Sequence, residues 1–151
     1  MSDRTYFQIV IYAAPADERA AIERIFEQYD IGYGETRDSD GFYRVVLGAQ
    51  ANTHEIRCGS ASDIAQELVH HAPRSSWELW EDPAYEWLGD VRRYTPDLGL
   101  FTAECTSEGC PVFTVAEVLQ MVTQSEQSRL RALGETHRKA LAALGEALAE
   151  V

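Results

Sequence analysis

Thr5-Tyr6-Phe7-Gln8-Ile9-Val10-Ile11-Tyr12 decides the fold class, because every residue but Gln8 is β-branched or aromatic. The run is too short to build a helix of ordinary length, and its apolar residues do not alternate with polar ones. That pattern belongs to a strand buried on both faces, at the centre of a sheet. Just beyond it, Pro15 suits the first turn of a helix, and Asp17 and Glu18 favour the positive end of a helix dipole. Ile22, Ile25, Phe26 and Tyr29 then recur at one-face helical spacing, and Gly32 and Gly34 are expected to end that helix.

Further outward, residues 31–36 and 42–47 read as short extended segments joined by a turn at Asp38-Ser39-Asp40-Gly41. Residues 53–58 read as another strand. Ser60 with Asp63 resembles a capping box opening a second helix through Ile64, Ala65, Leu68 and Val69, which Pro73 closes. Residues 77–81 form the next predicted strand. Strands and helices in this order predict an α+β fold, a ferredoxin-like α/β sandwich with two helices on one face of a sheet. Residues 85–94, 98–105 and 111–114 extend that sheet in antiparallel fashion, with Thr106-Ser107-Glu108-Gly109 as a hairpin connection.

Thr114 and Glu117 form a second capping box, opening a helix through Val115, Val118, Leu119 and Val122. The polar residues 123–128 bend or interrupt it. From Leu130 a seam of Leu133, His137, Leu141, Leu144, Leu148 and Val151 advances by threes and fours. It predicts one long amphipathic C-terminal helix over residues 123–151, appended to a sandwich domain over residues 1–122. Leu130, Leu133, His137, Leu141, Leu144 and Leu148 would either cover the sheet or pair with a second copy of the chain as a homodimer.

Composition bounds the function. The 151 residues carry 25 acidic and 13 basic side chains, a formal charge of −12. The excess lies entirely in residues 1–125, since four acids and four bases cancel in residues 126–151. Phosphate backbones and anionic lipid surfaces are recruited by cations, so direct contact with nucleic acid or membrane is disfavoured and a basic protein partner favoured. No apolar run approaches the ~20 residues of a membrane span. The basic set is twelve Arg and one Lys, and the chain has a single Asn, Asn52, which points to a GC-rich bacterial or phage genome. Met1-Ser2-Asp3-Arg4 lacks a secretory signature, so a cytoplasmic setting is expected. The odd set Cys58, Cys105 and Cys110 then reads as reduced thiols.

Tyr94-Thr95-Pro96-Asp97-Leu98-Gly99-Leu100-Phe101, followed by a hairpin and Val115-Ala116-Glu117, resembles the C-terminal half of a family of small actinobacterial proteins without an assigned activity. Glu81-Asp82-Pro83 at the end of the preceding strand, and Ala13-Ala14-Pro15 before the first helix, fit the same resemblance. It implies an α/β domain and supplies no catalytic residue.

The richest segment for recognition is residues 77–90, where Trp77, Trp80, Trp87 and Tyr85 stand among Glu78, Glu81, Asp82, Glu86 and Asp90. On a strand, Trp77 and Trp80 face opposite ways, so one can be core while the other meets solvent. Trp80, Glu81, Asp82, Tyr85, Glu86 and Trp87 are therefore the candidate partner-binding residues. Aromatic anchors rimmed by carboxylates suit Arg and Lys. Burial of the rings beneath the C-terminal helix is the competing reading. A row of carboxylates imitating DNA is a second alternative, and a small-molecule or enzymatic pocket between sheet and helices a third. Cys105 and Cys110 could bridge a hairpin or, with His54 and Cys58, offer four zinc ligands. His70 and His71 suit a helix C-terminus. No nucleophile elbow, phosphate loop, dinucleotide fingerprint or His-Glu metal motif is present, so no catalytic residue and no cofactor are expected.

Overall fold

A computed structural model describes residues 3–34 and 40–150 of the chain. Strand β1 (Arg4–Ala13) leads into α1 (Ala16–Tyr29), β2 (Gln50–Arg57), α2 (Ser60–His71) and β3 (Ser76–Glu81). Then come β4 (Gly89–Thr95), β5 (Gly99–Cys105), the two-residue β6 (Pro111–Val112), α3 (Val115–Met121), α4 (Glu126–Ala132) and α5 (Glu135–Ala149). The strands form one sheet in the order β2-β1-β3-β4-β5-β6, every neighbouring pair antiparallel. The α+β class is therefore as the sequence predicts, and β1 is an interior strand. Among the described residues no helix is long and apolar enough to cross a membrane.

The element order differs from the β-α-β-β-α-β of a ferredoxin-like unit. Residues 42–47 are the reason. They fold into turns, in which Arg44 N–H donates to Gly41 O and Val45 N–H to the Glu23 carboxylate at 2.8 Å. A strand would need that donor for its ladder. Gly32 makes one isolated bridge to Asn52. Tyr33 N–H donates to Phe42 O at 3.0 Å, and residues 35 and 36 of the expected segment, with Asp38 and Ser39 of the expected turn, lie outside the described residues.

One face of the sheet carries the main core. Phe7, Ile9 and Ile11 of β1 and Trp77 and Leu79 of β3 pack with Ile22 and Phe26 of α1 and Ile64 and Leu68 of α2. Alternation along the strands makes these same-face neighbours. Trp77 stacks on Tyr94 at 5.5 Å, and the Tyr94 hydroxyl donates to Pro73 O at 2.7 Å. Helix α1 ends at Asp30 in the left-handed region (φ 57°), before the glycines expected to stop it.

The opposite face is covered by the C-terminal helices, which correct the expectation of one long helix. Gly134 adopts φ 77° and separates α4 from α5. A Cβ there would stand 2.5 Å from the Phe101 ring, so glycine is required by both backbone and space. Helix α5 then lies across β4, β3 and β1. Buried His137 holds Gly99 O at 3.0 Å through Nε2, Leu141 is buried, Gly145 faces Tyr12 and Leu148 faces Gly48. Leu144 borders Ser76 and Thr95. Leu130 and Leu133, on and just after α4, are half-buried, and Val151 lies outside the described residues. The seam thus has an occupant within the chain, this protein's own sheet. Arg93 anchors the junction, donating from Nη1 to Gly134 O at 2.9 Å and from Nε to Glu78 at 2.5 Å, with its guanidinium 5.6 Å from the Phe101 centroid.

Candidate functional site

Residues 76–90 divide between structure and surface according to strand parity. Trp77 is core. Trp80 points to the other face and is half-buried beside Val91 and Phe101, donating from Nε1 to Ser107 O at 3.3 Å. The hairpin at Gly109 (φ 76°) closes over its ring, where a Cβ would lie 2.9 Å away. Glu81 is 1% exposed, which removes it from any contact surface. Its two oxygens accept from Gly59 N–H and Ala61 N–H, each at 2.9 Å, so this β3 carboxylate caps α2. The expected Ser60/Asp63 box is not formed: the cap position is Gly59 and no side chain of the helix bonds there. Burial raises the Glu81 carboxyl above the usual glutamate range, against the lowering effect of the two N–H groups. Asp82 accepts from Gln8 Nε2 at 3.2 Å and, through its carbonyl, from the Thr5 hydroxyl at 2.8 Å.

Tyr85, Glu86 and Trp87 are at the surface. Ala84 and Trp87 exchange two backbone hydrogen bonds (3.0 and 2.9 Å), making a tight turn with Tyr85 and Glu86 at its tip. Residues 85–88, expected as strand, are therefore turn and link. Tyr85 sits at φ 57°, unfavourable for an aromatic residue, and is 82% exposed. Trp87 is partly exposed, leans over Gly59 at the start of α2, and donates from Nε1 to the Asp3 carboxylate at 2.9 Å. Leu88 is 62% exposed.

Trp87 and Leu88 line a groove with Val112, Phe113, Glu104 and Glu117. From it the exposed apolar surface runs onto α3. That helix is capped as the sequence predicts, with Thr114 Oγ1 accepting from Glu117 N–H at 3.1 Å and Thr114 N–H donating to the Glu117 carboxylate at 2.9 Å. Its predicted stripe of Val115, Val118, Leu119 and Val122 forms, but faces outward, Val115 being 76% exposed. Val112, Phe113 and this stripe were not singled out in the sequence as contact residues. The usable signal was charge: residues 111–124 contain one charged side chain, Glu117. Charge depletion over exposed apolar residues marks interface cores better than hydrophobicity does.

The other candidates resolve separately. Cys58, Cys105 and Cys110 are free thiols, the first two buried. Burial drives Cys105 up to about 12 and Cys58 above the usual range. No group of three or more His, Cys, Asp or Glu able to hold a metal occurs among the described residues, so His54, Cys58, Cys105 and Cys110 do not assemble there as a zinc set. The carboxylates of the segment do not form a free row either. Glu81 is internal, Glu78 pairs with Arg93, and Asp90 is held bidentately by Arg92 at 3.0 and 3.2 Å. A separate concavity brings His54 near Asp30, Asn52 and Glu55, with the His54 ring 4.8 Å from Tyr6. Comparison with models of known families, with curated proteins and with solved structures gives no match to the chain.

Proposed function

We propose that this protein is a non-enzymatic, acidic interaction module that binds a basic partner protein through the β3–β4 tip and the groove beside it. The carrying observation is the exposed tip itself. A tyrosine is held at positive φ, outside the fold's core, next to a partly exposed tryptophan and an exposed leucine. Strain of ~1–2 kcal/mol at a non-glycine left-handed residue persists where the surroundings enforce it, and an aromatic presented this way supplies the kind of anchor that dominates binding energy. The contact set is accordingly Tyr85, Glu86, Trp87 and Leu88, with Val112 and the outward stripe of α3. Trp80, Glu81 and Asp82 support it from behind. The reading includes a cytoplasmic setting, consistent with three unpaired cysteines.

A photo-crosslinking residue in place of Tyr85, compared with one in place of the exposed Arg24 on α1, outside the contact set, tests the reading in lysate of the source cell. The expected result is a discrete crosslinked protein of basic character from position 85 alone, lost when Leu88→Ala and Trp87→Ala are added. Equal crosslinking from both positions would overturn it. A second reading, a small-molecule site, is supported by the His54 concavity, and binding of a ligand that shifts the His54 ring signals would favour it.

A further inference from the structure

The sheet is wider than the helices that cover its α1/α2 face. Six strands at ~4.8 Å spacing span ~24 Å between the outer two, whereas an α-helix is ~10 Å across. Two helices therefore cover about four strands. On this face α2 packs chiefly on β3 and β4, leaving much of β5 and β6 uncovered. Register identifies what is left bare: Leu100 opposite Tyr94, Thr102 opposite Arg92, Glu104 opposite Asp90, and Val112 opposite Glu104. All four are exposed. Two clefts lie along this strip, the first of them beside α2. One lies between Val69, Tyr94 and Leu100, and the other includes Thr102, Glu104, Val112 and the tip residues Trp87 and Leu88.

We propose that this strip is the seat of a partner's amphipathic, cationic α-helix, laid beside α2 as the helix the sheet lacks. The inference rests on the interaction reading above and names the partner's element. Length fits: seven residues of β5 at ~3.3 Å make ~23 Å, the rise of a ~15-residue helix. Chemistry fits as well. Leu100, Val112, Trp87 and Leu88 offer an apolar floor, and the carboxylates of Glu86 and Glu104 border the tip end. Asp90 is neutralised by Arg92, and Glu117 is engaged by the Thr114 amide, but Glu86 and Glu104 have no hydrogen-bond or ion-pair partner among the described residues. Two uncommitted negative charges beside an apolar trough select a helix with Lys or Arg along the edge of its apolar face. A second copy of a −12 chain would bring like charge to the same place. An added strand would use the β5 edge, whereas the apolar side chains stand on the face.

The test titrates the isotope-labelled full chain with a designed ~15-residue Leu/Lys amphipathic helix. Controls are a Leu/Glu helix of the same apolar pattern and an alternating Val/Lys strand-forming peptide. The Leu/Lys helix is expected to shift the amide signals of Val69, Leu100, Thr102 and Glu104, and Glu86→Lys with Glu104→Lys to weaken it by about tenfold or more. The Leu/Glu helix is expected not to bind. Unaltered affinity in the double variant, shifts confined to α3 or to the β5 edge, tighter binding of the Val/Lys peptide, or a dimer in light scattering that protects the strip would each overturn the proposal. The tip reading stands or falls separately, because Tyr85 crosslinking can succeed whether or not the strip accepts a helix.

Discussion

Arg93→Met is the substitution that isolates what holds the C-terminal helices to the sheet. Arg93 is 4% exposed, and its guanidinium serves three neighbours at once: the Glu78 carboxylate, the Gly134 carbonyl and the Phe101 ring. Removing one partner of a buried pair costs about 3–5 kcal/mol, and Glu78, with a side chain one-fifth exposed, belongs near the lower end. The orphaned Gly134 carbonyl adds about 1–2 kcal/mol and the lost ring contact about 1 kcal/mol, but Met restores part of the packing. The expected net loss is about 4 kcal/mol, a large share of a typical total of about 5–15 kcal/mol. For a chain of this size that lowers Tm by roughly 8–16 °C. Urea unfolding followed by tryptophan emission measures it, and hydrogen exchange should show α5 losing protection first. The decisive arm is Glu78→Met added to Arg93→Met. With the uncompensated carboxylate gone, the double variant should be more stable than Arg93→Met by about 2 kcal/mol or more. A single variant costing under about 1 kcal/mol, or a double variant no better than the single, would refute the account.

Glu81 gives a pH prediction whose sign is fixed by the direction of its shift. Its folded-state carboxyl is raised above the ordinary value of 4.5, so the native chain holds that proton after the unfolded chain has released it. The stability difference between wild type and Glu81→Gln should therefore move against wild type as pH rises from 4.5 through the folded value, and then level off. Urea unfolding across that interval checks it, and a difference moving toward wild type would contradict the desolvation argument. For the thiols, an aromatic disulfide reagent should titrate Cys110 rapidly in the native protein and reach Cys58 and Cys105 only on unfolding, because those two are buried with raised thiol values. Fast reaction of Cys58 or Cys105 in the native protein would contradict their burial.

The legible part of the fold was the part governed by local chemistry. The 5–12 run, the α1 stripe, the strands around Trp77 and Phe101 and the Thr114/Glu117 box all follow from neighbours in sequence. What escaped were decisions made by distant residues. Residues 42–47 look extended until the Glu23 carboxylate takes the Val45 amide. Ser60 and Asp63 look like a cap until Glu81, twenty residues on, fills that place from β3. The C-terminal seam reads as one helix until Phe101 and Arg93 demand the turn at Gly134. At the candidate site, alternation separated Trp77 from Trp80. It could not show that Glu81 would be internal or that the turn after Pro83 would lift Tyr85 clear.

Those same distant decisions explain why the exposed aromatic surface is a surface at all. Glu81 is drawn inward by the α2 amides, which fixes the end of β3 against the start of that helix. The chain must then reverse between Asp82 and Gly89, and Gly89 cannot be larger because a Cβ there would meet Cys105 O at 2.4 Å. With both ends of the link pinned, the intervening residues close as the Ala84–Trp87 turn and bear the positive φ at Tyr85. Trp87 folds back onto Gly59 and Asp3, and Tyr85 and Leu88 are left largely exposed. The acidic residue that recognition chemistry would have placed on the surface thus acts from the interior, by presenting the aromatic ones.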